Sequence, residues 1–332
     1  MTTMGDVARL AGVSASTVSH VLNGTRKVDA ATRQRVEAAI AETGYRRNVA
    51  ARSLAGGRSH TVGLSISALT NPYFGSLVHA VEQALSDAGY VLIVGDSHDA
   101  AEPERRVTDS LLDRQVDGMI VAPAAGSEHS TLPGIARTGT PLVLIDRMLD
   151  VDCDQVGPEN AASAQMLTEH LLDRGHRRIA VVRGIPGISS TTERFDGYVA
   201  ALASRGIAVD PTLVLEGRSS TDDAEREVRA LMASANRPTA LVSMNNAMTI
   251  GTLKAVQHLG LSIPDDVAFV CYDDFEWSDL FSPRLTAAGQ DVQTIGATAA
   301  ELLLRRIRRE DGPPQRIRVP TTFHHRRSCG CA

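Results

Sequence analysis

Apolar residues recur along the chain with two different textures, and the change near residue 60 divides it. Before that point the spacing is helical. Val7, Ala8, Leu10 and Ala11 predict a short first helix, and Thr3 with Asp6 three residues later forms the capping box that starts it. Gly12 breaks this helix, and Ser14 caps a second in which Val18, Val21 and Leu22 fall at i, i+3 and i+4. The opposite face carries Ser16, His20 and Asn23. After the loop Gly24 to Val28, Asp29 caps a third helix that turns Val36, Ala39 and Ile40 inward and stops at Gly44. Two short helices joined by a tight glycine turn make a helix-turn-helix.

Asn48 to Gly57 (NVAARSLAGG) allows about two helical turns, too few to be stable alone. From Thr61 onward, apolar strand runs alternate with amphipathic helices. TVGLSIS, YVLIVGD, DGMIVAP and PLVLID are strands, with helices at Pro72 to Ala88 and Pro103 to Arg114 between them. After a helix at Asn160 to Arg174 the pattern restarts with RRIAVVRG, TALVSMN and DVAFVCYD. Its helices lie near Thr192 to Arg205, Thr221 to Ser234 and Asn246 to Leu259, and a last helix, Val292 to Arg309, precedes the extended run RIRVP. Continuous apolar strands with helical crossovers predict two parallel sheets, each covered on both faces.

The length of 332 residues accommodates two or three domains, and 43% hydrophobic with 22% charged residues excludes a disordered chain. Charge changes the picture more than composition does. The net charge is -5, yet the first 60 residues hold 9 Arg plus Lys against 4 Asp plus Glu, while the other 25 basic and 35 acidic residues give -10. A basic head on an acidic body reads as an anion-binding module joined to something with another task. No apolar run reaches the ~18 residues of a membrane span and no signal peptide is evident, so the expected location is the cytoplasm. Four cysteines in a chain of this length suit a reduced compartment. Cys329 and Cys331 stand beside His324 and His325, but no second pair follows at zinc-ligand spacing, so neither metal nor cofactor is expected. GxxxxGK[ST], GxGxxG after a strand, GxSxG and HExxH are all absent, which argues against the common enzyme classes.

The stretch MGDVARLAGVSASTVSHVLNGTRKVDAATRQRVEAAIAETGYRRNVAARSLAGGRSHTVGL resembles the head of the lactose-repressor (LacI) family. The likeness continues through TNPYF, LTEHLLDRGHRRIAVVRG, ERFDGY, the NNAMTIGTLKAVQHLGLSIPDDVAFVCYDDFEWSDLFSPRLT block and RRSCGC, so it spans the chain. It implies an all-α helix-turn-helix head at 1–47 and a hinge helix with linker at 48–60. The body, 61–332, would then be an α/β, two-lobed, periplasmic-binding-protein-like unit of doubly wound parallel sheets that dimerises and binds an effector. Its N-lobe would take about 61–159 and 290–325, and its C-lobe about 160–289. The partners implied are palindromic operator DNA, a second copy of the chain and a small molecule.

Read on chemistry alone, Ala15, Ser16, Thr17 and His20 can reach base edges in a major groove, although His20 also suits a solvated surface position. The resemblance favours base reading, while Thr3, Ser14, Asn23, Thr25 and Arg26 look placed for phosphates, with Arg26 also within reach of a base. Leu54 is an apolar side chain in a short, polar, alanine-rich segment with no core to enter, beside Ala51 and Arg52. It either packs on the body or, as the resemblance implies, wedges into a central pyrimidine-purine step.

For the effector, polar residues at the C-terminal ends of strands face the crevice of such sheets: Ser67, Asp146, Asn245 and Asp273. Tyr73 and Phe74 can stack on an apolar ligand face, though Phe74 also fits a core stripe with Leu77 and Val78. Arg194 is a fork donor, and Gln290 matches another ligand position of the family. Asp273 can equally be a cap or half of a buried pair. Two departures bear on the ligand. Arg218 and Ser219 stand where many relatives place a stacking aromatic, and the usual Asn-Asp pair is Asn245-Asn246. The purine-clasping positions are unmatched around Ile188 and Ser190, so a sugar or sugar derivative is expected. The function expected is that of a repressor controlled by this effector; an effector-aided repressor or an activator is the alternative, and a cytosolic sugar-binding protein without operator function the reading from another class.

If the two Leu54 side chains of a dimer open a base step, Leu54→Ala should reduce both the bend and the discrimination at the central step, leaving outer half-site contacts intact. Bend angles and affinities on operators with varied central steps measure this. Equal bending and identical ranking by the two proteins would return Leu54 to ordinary packing.

Overall fold

A computed structural model describes residues 2–23, 26–45, 58–310 and 312–331, without the side chain of Asn23. The expected hinge helix with Ala51, Arg52 and Leu54 lies outside these residues, as does Thr25. The chain divides into two compact units, Met1–Ser59 and His60–Ala332.

The first unit holds α1 (Met4–Ala11), α2 (Ala15–Asn23) and α3 (Ala30–Thr43). Thr3 and Asp6 close the expected capping box, Gly12 ends α1 in the left-handed conformation (φ 64°), and the Asp29 side chain accepts the Thr32 N–H at 2.9 Å. Val7, Ala8, Ala11, Val18, Val21, Val36 and Ala39 form the core. Leu10 is not part of it. Positions 4, 7, 8 and 11 share one arc of α1, and Leu10 falls outside that arc, 49% exposed.

The second unit contains two six-stranded sheets. The first runs β11-β5-β4-β3-β1-β2, built from Thr61–Ile66 (β1), Val91–Asp96 (β2), Gly118–Val121 (β3), Leu142–Ile145 (β4), Asp154–Pro158 (β5) and Arg316–Val319 (β11), all parallel. The second runs β12-β10-β9-β8-β6-β7. Its strands are Ile179–Arg183 (β6), Val214–Glu216 (β7), Ala240–Ser243 (β8), Ala268–Tyr272 (β9), Thr286–Gln290 (β10) and Thr321–His324 (β12). One expectation changes here: β12 pairs antiparallel with β10, Ala287 opposite His324, so the second sheet is mixed. It also moves residues 321–324 from the first lobe, where the sequence reading placed them, to the second. Pro320 separates the two strands, and the chain leaves β11 on one sheet to enter β12 on the other. The chain therefore passes between the sheets three times, after β5, after β10 and after β11.

Helix pairs cover the sheets at a spacing set by glycine. Gly197 in the helix Ser189–Ser204 lies where a Cβ would stand 2.2 Å from the Ala161 carbonyl oxygen, and Gly251 in Asn246–His258 meets the Thr221 carbonyl in the same way, at 2.2 Å. Gly296 gives Val292–Ile307 a similar approach to Ala80 on Pro72–Asp87. Because the obstructing atoms at the first two sites are backbone, no side-chain rotation relieves them. Gly197→Ala and Gly251→Ala should each destabilise the body by ~1 to 3 kcal/mol through overpacking. Thermal melts would measure the loss; unchanged Tm values would show that these helices have room to separate.

Candidate functional site

The strands of both sheets end on a common cavity of about 400 Å³. Its walls combine residues that follow β4 (Asp146, Arg147), β6 (Gly184), β8 (Met244, Asn245) and β9 (Asp273) with Gln290 at the end of β10. Strand C-termini gather polar side chains at one edge in this way because, β12 apart, the strands of each sheet run parallel to their neighbours.

Two aspartates face this space from equivalent places, one just beyond an apolar strand of each sheet. Asp146 has φ 70° and Asp273 φ 76°, left-handed conformations that cost a non-glycine residue ~1 to 3 kcal/mol. Both carboxylates are held. The Tyr73 hydroxyl donates to Asp146 Oδ1 at 2.7 Å. Asp273 accepts the Asn246 backbone N–H at 3.0 Å and the Gln290 side-chain amide at 2.6 Å. Burial raises the Asp273 pKa above the usual carboxylate range, against the opposing pull of Arg194 and these hydrogen bonds. Burial likewise raises Tyr73, reinforced by the neighbouring Asp146 charge.

Arg194 is 7% exposed and lies beneath the cavity. Its Nε donates to Asn160 Oδ1 at 2.8 Å and one Nη to the Met244 carbonyl at 2.6 Å, while the guanidinium carbon stands 3.7 Å over the Tyr272 ring. Burial disfavours the charge, but Tyr272, Asp273 and Asp146 together more than offset it and hold the pKa above its ordinary value. The side chain is therefore a fixed cation.

Seven of the eight expected effector residues, Tyr73, Phe74, Asp146, Arg194, Asn245, Asp273 and Gln290, line this one cavity. Ser67 does not. It is 1% exposed, and Ala68, one residue on, forms the wall instead. Phe74 fills both of its open roles, packing with Val62, Leu64 and Leu77 while edging onto the cavity. Asn245 spends its side-chain oxygen capping the following helix through the Met248 N–H at 2.9 Å, which leaves its amide N–H groups for a ligand. The sequence reading missed Arg147, Asp99, Asn71 and Thr191, all of which line the wall. Arg147 pairs with Asp99, residue 99 being itself left-handed (φ 55°), and also donates to the Pro123 carbonyl at 3.0 Å. An arginine directly after a strand-ending aspartate was the available signal. Ile188 and Ser190 line the cavity as well, and so does Ser219 from the position where an aromatic was expected.

In the head, Ser14 caps α2 by accepting the Thr17 N–H at 3.1 Å, and its hydroxyl meets those of Ser16 and Thr17, each at 2.8 Å. These groups sit at the positive end of α2, where a phosphate is favoured. Ala15, Ser16 and Arg26 are exposed, whereas Thr17 and His20 are half-buried. The Thr3 hydroxyl is engaged with Asp6 Oδ2 at 2.7 Å.

A helix-turn-helix unit followed by a two-sheet ligand-binding body is the make-up of a DNA-binding regulator that reads a small molecule. Residues 3–48 match the model for bacterial regulatory proteins of the lacI family, and residues 168–329 match a periplasmic binding protein-like domain. The chain is 32% identical to the ribose operon repressor of Escherichia coli (strain K12) over 329 residues, covering 99% of this chain and 100% of that protein. It is also 32% identical to the HTH-type transcriptional repressor PurR of Aliivibrio salmonicida, covering 93% of each. Among solved structures, the Lac repressor dimer bound to operator and the anti-inducer ONPF superposes with a TM-score of 0.87 at 27% identity, covering 99% of each chain. The CelR-cellobiose complex gives 0.75 at 31% identity, covering 99% of this chain and 100% of that one. The chain belongs to the LacI family of bacterial transcription regulators. No helix among the described residues is long and apolar enough to cross a membrane.

The raised pKa of Asp273 sets the direction of a pH effect. The ionised carboxylate accepts hydrogen bonds, so effector affinity should fall as pH drops through a value above the ordinary 3.8. Asp273→Asn should bind more weakly and lose this acid limb, which calorimetry across mildly acidic pH would show. An unchanged acid limb in the variant would assign it to another group.

Proposed function

We propose that this protein is a homodimeric repressor that holds a palindromic operator with its heads and releases it when a free sugar enters the body's cavity. The observation that carries the reading is the opposed pair Asp146 and Asp273 around the fixed Arg194. Two carboxylates on opposite walls accept hydrogen bonds from hydroxyls on both sides of a polyol, and Tyr73 with Phe74 offers an apolar surface to its C–H face. Phosphorylated ligands fit less well. The two arginines of the wall, Arg147 and Arg194, each already donate to internal acceptors. Relatives named for ribose and solved with cellobiose support a free sugar as the effector class.

A thermal-shift screen of sugars, sugar phosphates and nucleobases tests this, because a ligand at 100 times its Kd adds ~2.7 kcal/mol. A free sugar should stabilise the protein and lower its operator affinity in the same concentration range, an effect absent in Asp273→Ala. Stabilisation by a nucleobase or a sugar phosphate alone would replace the ligand class, and tighter operator binding with sugar would reverse the sign of the control.

A further inference from the structure

The structure gathers a second constellation on the second lobe, among residues that do not line the cavity. His170, in the helix Ala161–Asp173, meets His325, Cys329 and Cys331 of the C-terminal tail, and one ligand atom from each lies within 4.8 Å of all the others. We propose that these four side chains form a structural zinc site that clamps the tail to that helix.

The donor set is two thiols and two imidazoles, which favours zinc over harder cations. Two ligands of one tetrahedral zinc, at about 2.3 Å for sulfur and 2.0 to 2.1 Å for nitrogen, stand about 3.6 Å apart. Cys331 Sγ and His170 Nε2 are separated by 3.6 Å. Four protein ligands close the coordination sphere, which marks the site as structural.

The surrounding loop is built to hold this arrangement. The Ser328 side chain and backbone are tied into the sheet through Phe269 and Thr286, at 2.7 to 2.8 Å. The Thr286 hydroxyl donates to Cys329 Sγ at 3.3 Å, an outer contact that suits a thiolate. Arg174, one turn beyond His170, donates to the Gly330 carbonyl between the two cysteines at 2.6 Å. Cys329 is buried, whereas His325 is exposed and leaves a route of entry. His324, the neighbour that sequence makes equally plausible, points away and pairs with Asp274 at 3.6 Å.

The site also has a place in the regulator. The helix that supplies His170 begins just after Asn160, the residue that holds Arg194 beneath the effector cavity.

The test uses the untagged, reduced full-length protein stripped of metal and titrated with Zn²⁺ or Co²⁺. The expected result is one ion per chain, a cobalt spectrum with tetrahedral and thiolate charge-transfer bands, and a higher Tm with zinc. His325 is exposed and Cys331 only half-buried at the edge of the core, so Cys331→Ser and His325→Ala should both fold, which operator binding checks. Each should weaken metal binding by at least the ~10- to 100-fold that loss of even an outer partner costs. Failure of the reduced wild type to bind either ion would overturn the proposal, and so would a cobalt spectrum unchanged in both variants. A Cys329–Cys331 disulfide that persists in protein isolated and kept under a thiol reductant would also overturn it.

Discussion

The body depends on how the buried charge of Arg194 is balanced. Arg194 sits where the two lobes meet, and a guanidinium removed from water persists there only if its donors are matched and its charge is balanced. Asn160 and the Met244 carbonyl accept from two of its nitrogens, the Tyr272 face covers the plane, and Asp273 with Asp146 balances the charge. Those same carboxylates are the acceptors a ligand would use. Binding chemistry and internal electrostatics are thus one network, and a hydroxyl that bonds to either aspartate changes the field around Arg194.

This arrangement suits control by lobe movement. The lobes are joined by three passages of chain, at 158–161, 290–292 and 319–321, and two of these abut residues of the network: Asn160 in the first and Gln290 in the second. A ligand that bridges both walls acts directly on the segments about which the lobes would turn. Coupling of this kind needs only ~1 to 3 kcal/mol between effector and operator sites. The left-handed backbone at Asp146 and Asp273 stores energy of the same order, and the tight glycine contacts hold the covering helices close to one another.

Local rules made much of this legible beforehand. Caps at Thr3, Ser14 and Asp29 located the three helices of the head, because a cap is satisfied within four residues of chain. Asp146 and Asp273 stood out as carboxylates directly after uninterrupted apolar strands, and a parallel sheet sends all such ends to one edge. Leu10 misled because apolar character alone does not say where the arc of contact on α1 stops. Ser67 misled for a related reason: at a strand end, one residue decides which wall a side chain joins. The exchange of β12 into the second sheet was hidden as well, since RIRVP and the residues after it form one extended run and nothing local marks the change of partner.

The sequence by itself therefore determined the helix-turn-helix, the alternation of strands and helices, the basic head on an acidic body, and the type of chemistry at the strand ends. These are all carried by neighbours within a turn or a strand, where backbone geometry ties spacing to face. Tertiary structure alone decided which of those ends share a cavity, that Arg147 and Asp99 pair within it, and that His170 stands 3.6 Å from Cys331 across 161 positions of chain. The physical reason is that such contacts are set by the crossing of whole elements, which follows from how the sheets and helices bury their apolar faces against one another.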